Sequence, residues 1–86
     1  MDHYARVEQT VKEILAKQLN MDAGKINSDA LLVEGLGLDS FGSVETAFEL
    51  EEKFGLKIPD QAVYNAKKVK DIVDYIAQET KDRTSV

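Results

Sequence analysis

The chain has 86 residues and a formal net charge of −5, and it contains no cysteine. This length suits a single domain, and the lack of thiols excludes disulfides, cysteine nucleophiles and cysteine-bound metals. The acidic balance disfavours nucleic acid and favours basic proteins as partners, and no apolar run approaches the roughly 20 residues that span a bilayer. We expect a monomeric protein of the cytoplasm, where small domains without disulfides are common.

Apolar residues recur at helical spacing in three parts of the chain, and none alternates as in a strand. With a short turn of helix started by Pro59 and Asp60, four helices are predicted, over about residues 3–19, 40–54, 59–65 and 69–76. A long loop over about residues 20–38 joins the first two. The pattern predicts an all-α fold: a small antiparallel four-helix bundle with three longer helices and a short third one.

Domain limits follow from the same pattern. Residues 1–80 are expected to form the domain, and the polar segment 81–86 a flexible tail.

The second predicted helix has two apolar faces, whereas an ordinary surface helix has one. One narrow stripe suits the bundle core and consists of Ser43, Ala47, Leu50 and Phe54. The other face carries Phe41, Val44 and Phe48, with Glu45 and Glu52 beside it. Either the long loop folds back over this second face, or the face is a docking surface.

Ser40 opens this helix directly after Asp39, in the most acidic part of the chain. Residues 34–54 contain six carboxylates and one lysine, a balance of −5, and the other residues balance to zero. A phosphate on Ser40 would lie at the positive end of the helix. By itself, however, Asp39-Ser40 also fits a plain helix cap. The single histidine, His3, supplies no convincing base for a serine hydrolase, and the pattern predicts no metal site.

From the first helix to about Gln78, the sequence resembles the acyl carrier protein family. The resemblance rests on an ordered set of motifs: Leu36-Gly37-Leu38-Asp39-Ser40, Val44-Glu45, Leu50-Glu51-Glu52-Lys53-Phe54, Ile58-Pro59-Asp60, and Val69 through Ile76. It implies that Ser40 carries a 4′-phosphopantetheine arm, taken from coenzyme A by a phosphopantetheinyl transferase that recognises Asp39. The arm would supply the thiol that this chain lacks, and the protein would be a carrier and not an enzyme.

The resemblance also implies two groups of neighbouring residues. Those expected to meet acyl-loading and acyl-processing enzymes through basic docking patches are Phe41, Val44, Glu45, Phe48, Glu51 and Glu52. Those expected near a cavity that shelters the acyl chain are Ala47, Leu50, Phe54 and Ala66.

Some residues depart from the commonest fatty-acid pattern and leave the cargo open. Phe41 replaces a usual leucine and Gly42 an acidic residue, and Asp39-Ser40-Phe41-Gly42 also resembles D-alanyl carrier proteins. The alternatives to a carrier for fatty-acid, polyketide or related synthesis are an aminoacyl carrier and an unmodified helical adaptor.

Overall fold

The computed structural model describes residues 2–81 and consists of four α-helices joined by loops. The helices are α1 (His3–Leu19), α2 (Ser40–Phe54), α3 (Asp60–Asn65) and α4 (Val69–Thr80), and a short 3₁₀ helix spans Ala23–Lys25. The predicted helical fold is confirmed. The expected tail falls outside the described residues except for Lys81, which follows α4.

Local signals in the sequence account for the helix ends. The Asp2 side chain accepts a hydrogen bond from the Ala5 amide at the start of α1. At the end of α1, Asn20 has a left-handed backbone with φ of 57°, and Gly55 ends α2 with φ of 64°. Such residues satisfy the last carbonyls of a helix and turn the chain away from its axis.

The core forms where α1 packs against α2 and α4. Contacts of Tyr4 with Asp74 and of His3 with Thr80 bring the start of α1 to the end of α4, so these two helices run antiparallel. The Tyr4 side chain is 40% exposed. The buried apolar residues are Val7, Val11, Ile14, Leu15, Ala16, Ile26, Leu32, Leu38, Leu50, Val69, Val73 and Ile76.

The long loop between α1 and α2 is tied to the junction of α3 and α4 by backbone hydrogen bonds. The Leu32 amide donates to the Lys67 carbonyl at 2.8 Å, and the Val69 amide donates to the Ala30 carbonyl at 3.1 Å. Since Leu32 is also buried, the loop packs as part of the domain. Within the described residues no helix is long and apolar enough to cross a membrane.

Asp71 stabilises the start of α4. Its carboxylate accepts hydrogen bonds from the Lys67 and Lys68 amides, both at 2.9 Å. The bond from Lys68 and then that from Lys67 lower the pKa of Asp71, because both favour the ionised form.

We expect Asp71→Asn to lower the free energy of unfolding at pH 7 by about 1 kcal/mol. Because the folded-state pKa is lowered, the carboxylate stabilises the fold above the unfolded-state pKa of about 3.9. This contribution is lost as pH falls through the folded-state pKa. Urea unfolding of the wild type and of Asp71→Asn should therefore give free energies of unfolding that differ more at pH 7 than at pH 3. Asp29→Asn, which alters an exposed loop carboxylate, is the control, and a difference independent of pH would contradict the assignment.

Candidate functional site

Asp39 closes the first turn of α2. Its carboxylate accepts a hydrogen bond from the Gly42 amide at 2.7 Å. Its carbonyl accepts from the Ser43 amide at 2.8 Å and from the Ser43 hydroxyl at 2.9 Å. Asp39 has an extended backbone, as an N-cap residue requires. The cap of α2 is therefore Asp39 alone.

Ser40 is the first residue of α2 and is exposed. Within the part of the chain that the structure describes, its hydroxyl makes no hydrogen bond. The helix cap that the pair Asp39-Ser40 predicts is supplied by Asp39, and the Ser40 hydroxyl takes no part in it. The N-terminus of α2 carries partial positive charge from its free backbone amides. A phosphate group attached to the Ser40 hydroxyl would therefore lie in a favourable electrostatic field.

The loop before α2 fixes the position of Ser40. Leu38 is 3% exposed, and its amide donates to the Leu32 carbonyl at 2.9 Å. Gly37 has φ of 76°, a left-handed backbone that glycine adopts without strain. The chain therefore leaves the core at Leu38, and the next two residues, Asp39 and Ser40, are both exposed.

Glycine at position 42 is explained by close packing. The residue is buried, and a Cβ there would lie 3.0 Å from Leu38 Cδ1 and 3.1 Å from Asp39 Oδ1. A side chain would press on both the anchor of the loop and the cap of α2. A residue larger than glycine at this position would require Leu38 or Asp39 to shift by a few tenths of an ångström.

The second apolar face of α2 is exposed. Phe41, Val44 and Phe48 are 70%, 67% and 58% exposed, so the hypothesis that the long loop covers them is wrong. Glu45 and Glu52, which the sequence places beside them, make no ion pair or hydrogen bond with any described residue. An apolar surface bordered by unpaired carboxylates is typical of a docking face.

Two other carboxylates of α2 have structural partners. Glu51 accepts a hydrogen bond from the Ile58 amide at 2.7 Å, which holds the connection between α2 and α3. Glu49 forms an ion pair with Lys17 of α1 at 3.3 Å. Glu51, expected from the resemblance to face partners, therefore has a role within the fold.

A cleft of about 630 Å³ opens beside Ser40, between α2, α3, α4 and the long loop. Ala47, Leu50 and Ala66, for which the resemblance implies a place near an acyl cavity, line this cleft. Phe54 does not, because it is partly buried against the core of the bundle. The sequence analysis missed several lining residues, among them Thr46, Ile58, Val63, Ile72 and Tyr75.

The buried face of α2 differs from the predicted stripe. Its buried residues are Gly42, Thr46 and Leu50, whereas Ser43, Ala47 and Phe54 are partly exposed. Counting apolar side chains misses a glycine and a threonine. They precede Leu50 by eight and four residues, and this repeat of four is the signal that would have found them.

Comparisons with known proteins agree with this geometry. A family model described as the phosphopantetheine attachment site matches residues 9–76. A solved structure from Mycobacterium tuberculosis, provisionally described as an acyl carrier protein, has 29% sequence identity and a TM-score of 0.79. The match covers 85% of this chain and 97% of that one.

The fold and the match together define a carrier protein. The chain belongs to the phosphopantetheine-binding acyl carrier family, and its expected covalent cofactor is 4′-phosphopantetheine.

If Asp39 alone caps α2, Asp39→Ala should lower the free energy of unfolding by about 1 kcal/mol. Ser40→Ala should change it by less than about 0.5 kcal/mol, as for an exposed side chain without partners. Urea unfolding measures both, and Asp39→Asn, which retains a capping oxygen, is the control. Equal losses in the two alanine variants would show that Ser40 also stabilises the helix.

Proposed function

We propose that this protein carries acyl groups as thioesters on a 4′-phosphopantetheine arm attached to Ser40. The observation that carries the proposal is the Ser40 hydroxyl itself, which is exposed, unpartnered among the described residues and beside an apolar cleft. A phosphopantetheinyl transferase would form the bond between the Ser40 oxygen and phosphorus. The serine proton would be lost, and 3′,5′-adenosine diphosphate would leave coenzyme A.

The residues around Ser40 would have separate roles toward the arm. The arm supplies the thiol that holds the cargo, since the chain has no cysteine. The amide end of α2 would stabilise the phosphate charge. Asp39 would fix the turn that presents the hydroxyl and would form part of the surface that the transferase recognises.

The cleft favours an acyl cargo over an amino acid. Sheltering an eight-carbon chain would gain on the order of 5 kcal/mol, at about 0.8 kcal/mol per methylene. A short polar amino acid would gain little from the same apolar walls. The alternative of a D-alanyl or aminoacyl carrier thus has the motif Ser40-Phe41-Gly42 in its favour but does not explain a cleft of about 630 Å³.

The exposed face of α2 would receive the partner enzymes. Phe41, Val44 and Phe48 are its apolar anchors, and Glu45 and Glu52 would attract basic patches on enzymes of fatty-acid, polyketide or related synthesis. Exposed ion pairs contribute only about 0.2–1 kcal/mol each, so they suit short visits by several enzymes.

Incubation with a phosphopantetheinyl transferase and coenzyme A should add one phosphopantetheine to the wild type, measured by intact mass spectrometry. Ser40→Ala should gain none, because it lacks the accepting oxygen. Ser43→Ala is the matched control from the same helix turn and should still be modified. An unmodified wild type, or equal modification of Ser40→Ala, would refute the proposal. If the protein is instead an unmodified helical adaptor, Ser40→Ala should still bind its partner, whereas Phe48→Ala should not.

Reversal of both free carboxylates, Glu45→Lys with Glu52→Lys, should slow modification by a basic transferase at least several-fold at low salt. The rate difference should shrink as salt rises, because screening weakens attraction between exposed charges. The control reverses Glu13 and Glu79, exposed residues of α1 and α4, and changes the net charge equally. If the two double variants slow modification equally, the effect comes from net charge alone, and the proposed docking face on α2 is refuted.

A further inference from the structure

Thr46 of α2 has a buried hydroxyl without a hydrogen-bond partner. The residue is 2% exposed. Among the buried side-chain oxygen and nitrogen atoms of residues 2–81, Thr46 Oγ1 is the one that has no hydrogen-bond partner. Burial of a hydroxyl without a partner is costly, so native structures rarely contain one without a reason.

Other helical hydroxyls of this chain solve the same problem locally. Ser43 donates to the carbonyl of Asp39 at 2.9 Å, and Thr80 donates to the carbonyl of Ile76 at 2.7 Å. Both acceptors lie four residues earlier, where a helical hydroxyl reaches easily. Thr80 is as buried as Thr46, with 4% exposure, and it also contacts His3 Nε2 at 2.8 Å. Burial alone therefore does not leave a hydroxyl unpaired in this fold.

Thr46 also lines the cleft beside Ser40. Its neighbours along the cleft include the apolar side chains of Ala47, Leu50 and Ile72. A saturated acyl chain would match these walls and leave the hydroxyl unpaired. A chain that carries an oxygen would satisfy both the apolar walls and the hydroxyl.

We propose that Thr46 determines cargo specificity: as the cleft widens around a bound acyl chain, its hydroxyl, which is closed to solvent in the empty cleft, donates a hydrogen bond to a keto oxygen on that chain. The preferred cargo is then an oxo-substituted acyl chain and not a saturated one. This inference rests on the proposed function, because the chain reaches the cleft from an arm on Ser40. A polar group sized and placed for one hydrogen bond gives stronger discrimination than apolar contact does.

The first measurement uses the protein without its arm and compares melting temperatures. Thr46→Val removes an unpaired hydroxyl at nearly constant volume, so its melting temperature should equal or exceed that of the wild type. Thr80→Val, the matched control, removes a paired hydroxyl and should melt at a lower temperature. A clear drop for Thr46→Val would show that the hydroxyl is satisfied within the fold and would overturn the inference.

The second measurement uses protein loaded on Ser40 with amide-linked pantetheine analogues of octanoyl and of 3-oxo-, 5-oxo- and 7-oxooctanoyl chains. In the wild type, at least one oxo chain should raise the melting temperature above that of the octanoyl form. In Thr46→Val this rise should disappear, while the melting temperature of the octanoyl form stays as in the wild type. Thr46→Ser retains the hydroxyl and should therefore show the rise.

Three results would overturn the inference: no oxo chain exceeds octanoyl in the wild type, the rise persists in Thr46→Val, or the rise is lost in Thr46→Ser as well. These results are distinct from failure of the proposed function. In that case no pantetheine analogue would attach to Ser40 at all, while the comparison of Thr46→Val with Thr80→Val would remain readable.

Discussion

The hydrogen bonds made by Asp39 are the local constraint on which the site depends. One residue supplies both the capping carboxylate for the Gly42 amide and the carbonyl that Ser43 contacts twice. Ser40 consequently begins the helix without contributing to its cap. A hydroxyl used as a cap would lose a stabilising bond when modified. In this protein the neighbouring Asp39 makes the capping hydrogen bond. A group can therefore be attached to the Ser40 oxygen without breaking a hydrogen bond that stabilises α2.

The long loop before α2 connects the Asp39 cap to the core. Leu32 and Leu38 are buried, and backbone hydrogen bonds join the loop to Lys67 and Val69, at the junction of α3 and α4. The loop therefore positions Ser40 and forms part of the cleft wall. The opposite wall is weaker, because α3 has six residues, none of them buried. Elements with few buried contacts open at the lowest free energy, so α3 is the wall that an incoming chain would displace most easily.

The fold class and the starts of α1, α2 and α4 could be predicted because their signals are local, whereas α4 extends to Thr80, four residues beyond its predicted end. Gly55 ends α2 as expected, and apolar spacing located α1 and α4. The orientation of α2 could not be predicted in the same way, since Gly42 and Thr46 are buried without being apolar. Nor could the sequence show that Glu51 bonds to the Ile58 amide, or that Phe54 lies outside the cleft. Those facts depend on the path of the chain after α2, which no periodicity encodes.

The single helix α2 thus combines three surfaces with conflicting requirements. Its buried face must pack, its cleft face combines apolar side chains with Thr46, and its outer face exposes Phe41, Val44 and Phe48, of which the last two also border the cleft. Exposed apolar surface promotes self-association unless charge opposes it. The acidic balance of residues 34–54 opposes such association, because two copies of this region carry like charge, and under the proposed function it would attract a basic enzyme. Under the proposed function, the same carboxylates would oppose self-association of the carrier and attract its partner enzymes. On α2 itself, four carboxylates stand against Lys53, and Glu34 and Asp39 extend the acidic region into the preceding loop.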